Sequence, residues 1–110
     1  MCSKTAYVKI FAVPFILFAF AVSSHGQDEN KTFSEVCRSC HTGGFIGWLS
    51  GAPNVKDKSK WEKYIKRSPV EKMKEIVING TKDHKVKGGC EKCSDGDIRA
   101  AIDYMMSLVR

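Results

Sequence analysis

Cys37-Arg38-Ser39-Cys40-His41 decides how the rest of this 110-residue chain is read. A C-x-x-C-H run supplies two thiols able to bond the vinyl groups of a haem and an adjacent imidazole able to bind its iron. The spacing has a mechanical reason: a turn of helix separates the sulfurs, so both reach one edge of the macrocycle while His41 lies beneath the metal. The motif implies one covalently attached haem c, with Cys37, Cys40 and His41 as its anchors.

Upstream of the motif, residues 1–26 read as a secretory signal. Lys4 and Lys9 form a short basic start, an apolar run follows from Ile10 to Val22, and Ser23-Ser24-His25-Gly26 offers small residues for cleavage before Gln27. Thirteen apolar residues fall short of the roughly 20 that span a bilayer core, although an uncleaved anchor stays open as an alternative. Cys2 precedes the apolar run, which excludes it as an acylated lipoprotein cysteine. Export disfavours nucleic acid as a partner.

The mature domain, residues 27–110, keeps all 12 acidic residues and loses Lys4 and Lys9, so its formal charge is +4. A chain this short buries only about 60–65% of its unfolded surface and gains from a staple or a cofactor. Its basic balance suits acidic or membrane-bound redox partners, and equally an ordinary solvated lysine face.

Local signals predict short helices, with no strand and no repeat. Asn30 or Asp28 caps a first helix through Ser39, carrying Phe33, Val36 and Cys37 on one face. Gly43, Gly44, Gly47, Gly51 and Pro53 predict an irregular loop. Ser59 caps a helix over Lys60–Lys66 with Trp61, Tyr64 and Ile65 at helical spacing. Ser68-Pro69-Val70-Glu71 predicts a capping box with proline at the first helical position; its helix carries Val70, Met73, Ile76 and Val77 and stops at Asn79-Gly80. Ser94, with Asp97 three residues on, opens a last helix bearing Ile98, Ala101, Ile102, Met105 and Leu108 or Val109. The class is all-α.

The order of these landmarks resembles class I cytochromes c, and within them the small bacterial cytochrome c5 group, over nearly all of residues 29–108. Beyond the haem motif, the resemblance rests on Gly51-Ala52-Pro53, Trp61, Asn79-Gly80 and Lys87-Gly88-Gly89-Cys90-Glu91-Lys92-Cys93-Ser94-Asp95. It implies a small cytochrome fold of short helices around one haem, with Phe33 meeting Tyr104 where the first and last helices cross. The family's usual small residue one turn earlier is Glu29 here. The resemblance further implies that the Pro53 carbonyl accepts the proton on the outer nitrogen of His41, that Trp61 bonds a haem propionate, and that Cys90 and Cys93 form a disulfide. An ordinary core aromatic is the competing reading of Trp61.

Three readings of Cys90 and Cys93 stand side by side. Zinc ribbons keep paired C-x-x-C motifs roughly 15–20 residues apart, whereas 49 residues separate Cys40 from Cys90. A thioredoxin-like pair follows a strand, and no strand pattern precedes Cys90. A structural disulfide in an oxidising compartment accounts best for the pair.

The distal ligand is where the chain departs from the family. Where the c5 pattern has a methionine followed by prolines, this sequence has His84-Lys85-Val86, and no methionine lies between Met73 and Met105. Met73, Met105 and Met106 sit on apolar helical faces and read as core. Lys82, Lys85 and Lys87 would have to lose a proton to ligate. The expected metal ligands are therefore His41 and His84, against the plainer reading of His84 as solvated surface. A second imidazole in place of methionine lowers the potential. The expectation is a non-enzymatic, monomeric electron carrier of the periplasm with no small-molecule substrate, docking through the haem edge and basic residues such as Lys56, Lys58, Lys60, Lys85 and Lys87. The alternative is a haem-based gas sensor or peroxidase-like protein with a displaceable sixth ligand. Against that alternative, Arg67 and Arg99 sit at helical positions, with no distal acid-base pair beside them. A third reading, a zinc or disulfide interaction module without haem, leaves the order of Cys37, Cys40 and His41 unexplained.

Overall fold

The computed structural model describes residues 29–110, so the signal read at residues 1–26 and its cleavage before Gln27 lie outside the described residues. The Asn30 side-chain oxygen accepts the Phe33 N–H at 2.9 Å, the capping expected of it. A π-helical turn, Phe33–Cys37, runs directly into α1, Arg38–His41. Helix therefore continues past Ser39 to the motif histidine. π-Helical turns are rare and recur at functional sites; this one ends on the first motif cysteine.

The glycine-rich loop expected after the motif is instead mostly helical, as α2, Gly44–Ser50. Two of the presumed helix breakers bound it: Gly43 precedes the helix and Gly51 closes it in the left-handed region at φ 68°, a common glycine role at helix ends. Gly44 is its first residue, and Gly47 is buried inside it, where a Cβ would stand 3.0 Å from the Cys40 carbonyl oxygen. Here glycine serves close packing of α2 on the motif.

Helix α3, Lys58–Arg67, is capped by Asp57 rather than Ser59. The Ser59 hydroxyl donates to the Asp57 carboxylate at 2.6 Å, because a charged acceptor outcompetes a hydroxyl for nearby donors. Helix α4, Val70–Asn79, starts after Pro69, which is the N-cap and not the first helical residue, and no side-chain cap forms. The preceding Ser68 is extended at φ −142°, ψ 131°, as a residue before proline tends to be. Glu71, expected to complete a capping box, instead accepts from Lys74 at 2.7 Å and Arg99 at 3.2 Å.

A short 3-10 turn, Val86–Gly89, leads to α5, Asp95–Val109. Ser94 and Asp97 form the predicted capping box at its start. No extended strand occurs among the described residues; Thr81 and His84 form an isolated bridge. The chain is all-α.

Burial follows the expected faces. Phe33, Trp61, Ile98, Ala101, Ile102, Met105, Met106 and Val109 form the core, and Ala101 is fully enclosed. Phe33 meets Tyr104 with ring centroids 5.1 Å apart and planes inclined by 56°, a favourable tilted aromatic contact. Glu29, at the family's small-residue position, turns its carboxylate to Arg38 at 3.0 Å. Lys74 of α4 is buried and ties α4 to α5 through Asp103 at 2.8 Å, while Arg99 returns from α5 to Glu71 and Glu75. The Lys74 ammonium is held above its ordinary range by hydrogen bonds to Asp103 and Glu71. A raised lysine value means the pairing is complete at neutral pH and is lost only as pH rises into the alkaline range.

Candidate cofactor site

The elements converge on a cavity of about 730 Å³, lined by Cys37, Cys40, His41, Trp61, His84 and Met105 among others. That volume lies within the roughly 300–1,000 Å³ typical of cofactor pockets. The motif supplies one wall: Cys37 and Cys40 carry free thiols. Burial, and then the neighbouring Cys40, push the Cys37 thiol up to about 11, so it is protonated at neutral pH.

His41 is fixed from two directions. Its Nδ1 lies 3.0 Å from the Pro53 carbonyl oxygen, and its own carbonyl accepts the Val55 N–H at 2.8 Å. A carbonyl can only accept, so Nδ1 carries the proton and Nε2 keeps the free lone pair. Burial holds the imidazole below its ordinary range; the Pro53 bond opposes this and His84 adds to it. At neutral pH the ring is therefore neutral, which is the ligating form. The Pro53 partnership expected from resemblance is present in the structure.

His84 reaches the same cavity from the opposite loop. Its Nδ1 lies 2.8 Å from the Lys85 carbonyl oxygen, which again leaves Nε2 free. The two imidazole centroids are 6.5 Å apart with ring planes inclined by 25°. Two imidazoles facing each other across one metal ion need roughly 6.2 Å, given a metal–nitrogen bond of about 2 Å and about 1.1 Å from ring centre to nitrogen. The observed centroid separation is close to that span.

Trp61 lines the cavity and sits 5.7 Å from His41, centroid to centroid. Its indole N–H donates to the Asn54 carbonyl at 3.0 Å. The ring thereby braces the Pro53–Val55 strap that orients His41. Of the lysines expected around the edge, Lys87 turns inward, donating to the Cys93 carbonyl at 2.9 Å and pairing with Asp95 at 2.8 Å. Lys58 is drawn to the Arg110 carbonyl and Lys60 to Asp57. Arg67 also lines the cavity, with its guanidinium 5.3 Å from the Tyr64 ring centre. Met105 and Met106 are core residues, as expected.

The Cys90 and Cys93 sulfurs lie within bonding distance of each other. Among the described residues no three His, Cys, Asp or Glu side chains gather as a metal site, so the two C-x-x-C pairs do not build a four-sulfur zinc centre. Sequence reasoning missed the Asn54, Val55 and Lys85 backbone contacts, because a main-chain group looks the same whatever side chain it bears.

The family described as cytochrome c oxidase, cbb3-type, subunit III matches residues 26–105. Cytochrome c5 of Ectopseudomonas mendocina is 32% identical over 91 residues, covering 82% of this chain and 100% of that one. The chain is a class I c-type cytochrome. Membership brings with it a covalently bound haem c as cofactor, and the cavity between the motif and His84 is of a size and donor chemistry to take it. No solved structure matches the cytochrome significantly. No helix among its described residues is long and apolar enough to cross a membrane.

The loop that carries His84 opens on a backbone conformation that only glycine adopts freely. Gly80 has φ 74° and ψ 168°, a region essentially reserved for glycine, and a Cβ there would lie 2.7 Å from Val86 Cγ2 and 2.9 Å from Val86 N. Gly80→Ala is expected to cost roughly 1–3 kcal/mol, read as a lower melting temperature of the haem-loaded protein. An unchanged melt would show that the backbone there relaxes freely.

Proposed function

We propose that this cytochrome is a one-electron carrier of the bacterial periplasm, in which Cys37 and Cys40 would hold one haem through thioethers and His41 and His84 would bind its iron. The observation that carries this reading is the pairing of the two imidazoles at 6.5 Å, each with Nδ1 committed to a backbone carbonyl. When bound, the haem supplies reversible one-electron exchange at its iron. The chain's task is to keep both ligands in place in either oxidation state, so that little reorganises. Pro53 and Lys85 fix the proton of each imidazole on Nδ1 and so present a neutral Nε2. Trp61 braces the strap beneath His41, and the Cys90–Cys93 disulfide secures the distal loop to the start of α5.

Two strong nitrogen donors favour ferric iron over ferrous, whereas a methionine ligand raises the potential. The midpoint is therefore set below that of His/Met cytochromes. Periplasmic location follows from the signal read at residues 1–26 and from a disulfide that persists in oxidising compartments. The partners are other redox proteins, met by a single copy of the chain, with Arg67, Lys82 and Lys85 as exposed basic groups lining the cavity and Lys56 exposed beyond the Pro53–Val55 strap. No substrate pocket beyond the cofactor cavity is required, which makes the protein a carrier and not an enzyme.

The test is the optical spectrum and midpoint of the haem-loaded mature protein. A low-spin spectrum without the far-red sulfur-to-iron band, and a midpoint below that of His/Met relatives, is the expected result. A sulfur-to-iron band would assign a methionine to the iron and overturn the ligand set.

A further inference from the structure

Helix α2 is built inside out. At 100° per residue, Phe45, Ile46, Trp48 and Leu49 fall within an arc of about 160°, and Gly47 lies on the opposite side. The glycine is the buried member, packed on the Cys40 carbonyl, while the four bulky residues are 72%, 52%, 76% and 66% exposed. An ordinary surface helix turns its apolar stripe toward the core. Four protruding apolar side chains expose on the order of 500 Å², as large as the largest patch on a typical monomer and well beyond scattered surface residues.

Charge surrounds this face without entering it. No Asp, Glu, Lys or Arg occurs from Ser39 to Val55, in a mature chain of formal charge +4; beyond it lie Arg38, paired with Glu29, and Lys56-Asp57-Lys58, of which Lys56 is exposed and Lys58 donates to the Arg110 carbonyl. A second copy of the chain is a poor occupant: two such faces together would bury about 1,000 Å², under the roughly 1,200 Å² of a stable interface. A protein partner would need a matching concavity and polar groups to pair, at about one hydrogen bond per 100–200 Å². The outward face offers one polar side-chain group, the Trp48 indole N–H. A bilayer moulds itself to protruding side chains, and tryptophan and phenylalanine beside basic residues are the composition that seats in a headgroup layer.

We propose that α2 docks the cytochrome on an anionic lipid bilayer, with Phe45, Ile46, Trp48 and Leu49 entering the headgroup region and the exposed Lys56, backed by the net positive charge of the mature chain, meeting the lipid phosphates. This rests on the periplasmic carrier reading, which places the domain beside a membrane surface. Because Ser50, Gly51, Ala52 and Pro53 at the end of α2 line the cofactor cavity, seating α2 holds the site at the membrane plane, where membrane-bound redox partners lie.

The experiment is sedimentation of the haem-loaded mature protein with vesicles of phosphatidylcholine containing about one-third phosphatidylglycerol, against phosphatidylcholine alone. Wild type is expected to pellet with the anionic vesicles and to be released by added salt. Phe45→Ser combined with Trp48→Ser is expected to weaken binding at least tenfold with an unchanged haem spectrum. Wild type remaining in the supernatant, equal binding to both vesicle types, or full binding by the double variant would each overturn the proposal; the first would leave a protein as the occupant. The spectrum of the same samples reports the carrier reading separately, so loss of vesicle binding with an intact low-spin spectrum condemns only the docking.

Discussion

Replacing His84 with alanine is expected to turn a low-spin, six-coordinate iron into a high-spin one that binds carbon monoxide when reduced. Added imidazole is expected to restore the low-spin spectrum, because the cavity wall opposite His41 is then open to a small ligand of the same chemistry. The reason lies in the geometry. The His84 and His41 ring centroids lie 6.5 Å apart, and the His84 Nδ1 is held by the Lys85 carbonyl, while the methionines of the cavity lining, Met73, Met105 and Met106, project from the apolar faces of α4 and α5. His84→Met is expected to raise the midpoint by on the order of 0.1 V, within the roughly 0.8 V that axial ligands span. An alanine variant with the wild-type spectrum would show that His84 never held the iron. A methionine variant with an unmoved midpoint and unchanged spectrum would say the same.

Phe33→Ala is expected to be the most damaging change in the protein frame. Phe33 is 2% exposed and its ring meets Tyr104 at the crossing of the first and last helices. Emptying a site of this kind costs about 3–5 kcal/mol. A domain of this size holds only roughly 4–12 kcal/mol in total, at about 0.05–0.15 kcal/mol per residue. The loss would show in guanidinium unfolding as a midpoint shifted far to lower denaturant, and as a melting temperature lowered by more than about 10 °C. Tyr104→Phe keeps the ring and is expected to stay within about 1 kcal/mol of wild type. A loss equal to that of Phe33→Ala would move the weight of the contact from ring packing to the tyrosine hydroxyl.

The parts that were legible before the structure share one property: each is local. Asn30, the Ser94–Asp97 box and the Asn79-Gly80 stop are decided within four residues of themselves, and all three appear where they were read. The α5 core face, Ile98 through Val109, follows from helical period alone. The errors arose where a local signal met a competing group. Glu71 left its capping box for Lys74 and Arg99, the second of which is 28 positions away. Ser59 yielded to the stronger acceptor Asp57. The glycines around α2 were read as breakers, but one of them is a packing residue whose partner, the Cys40 carbonyl, no periodicity reveals.

By itself, the sequence determined the helical class, the motif that receives the cofactor, and the absence of a methionine at the distal position, because these depend on residue identity and short spacing. Only the tertiary structure decided that His84 and His41 share one cavity with ring centroids 6.5 Å apart, that Trp61 braces Asn54 and its strap, and that α2 turns its bulky residues outward. Those outcomes depend on which distant backbone groups the folded chain brings within reach, and a carbonyl's position in space is a property of the whole fold.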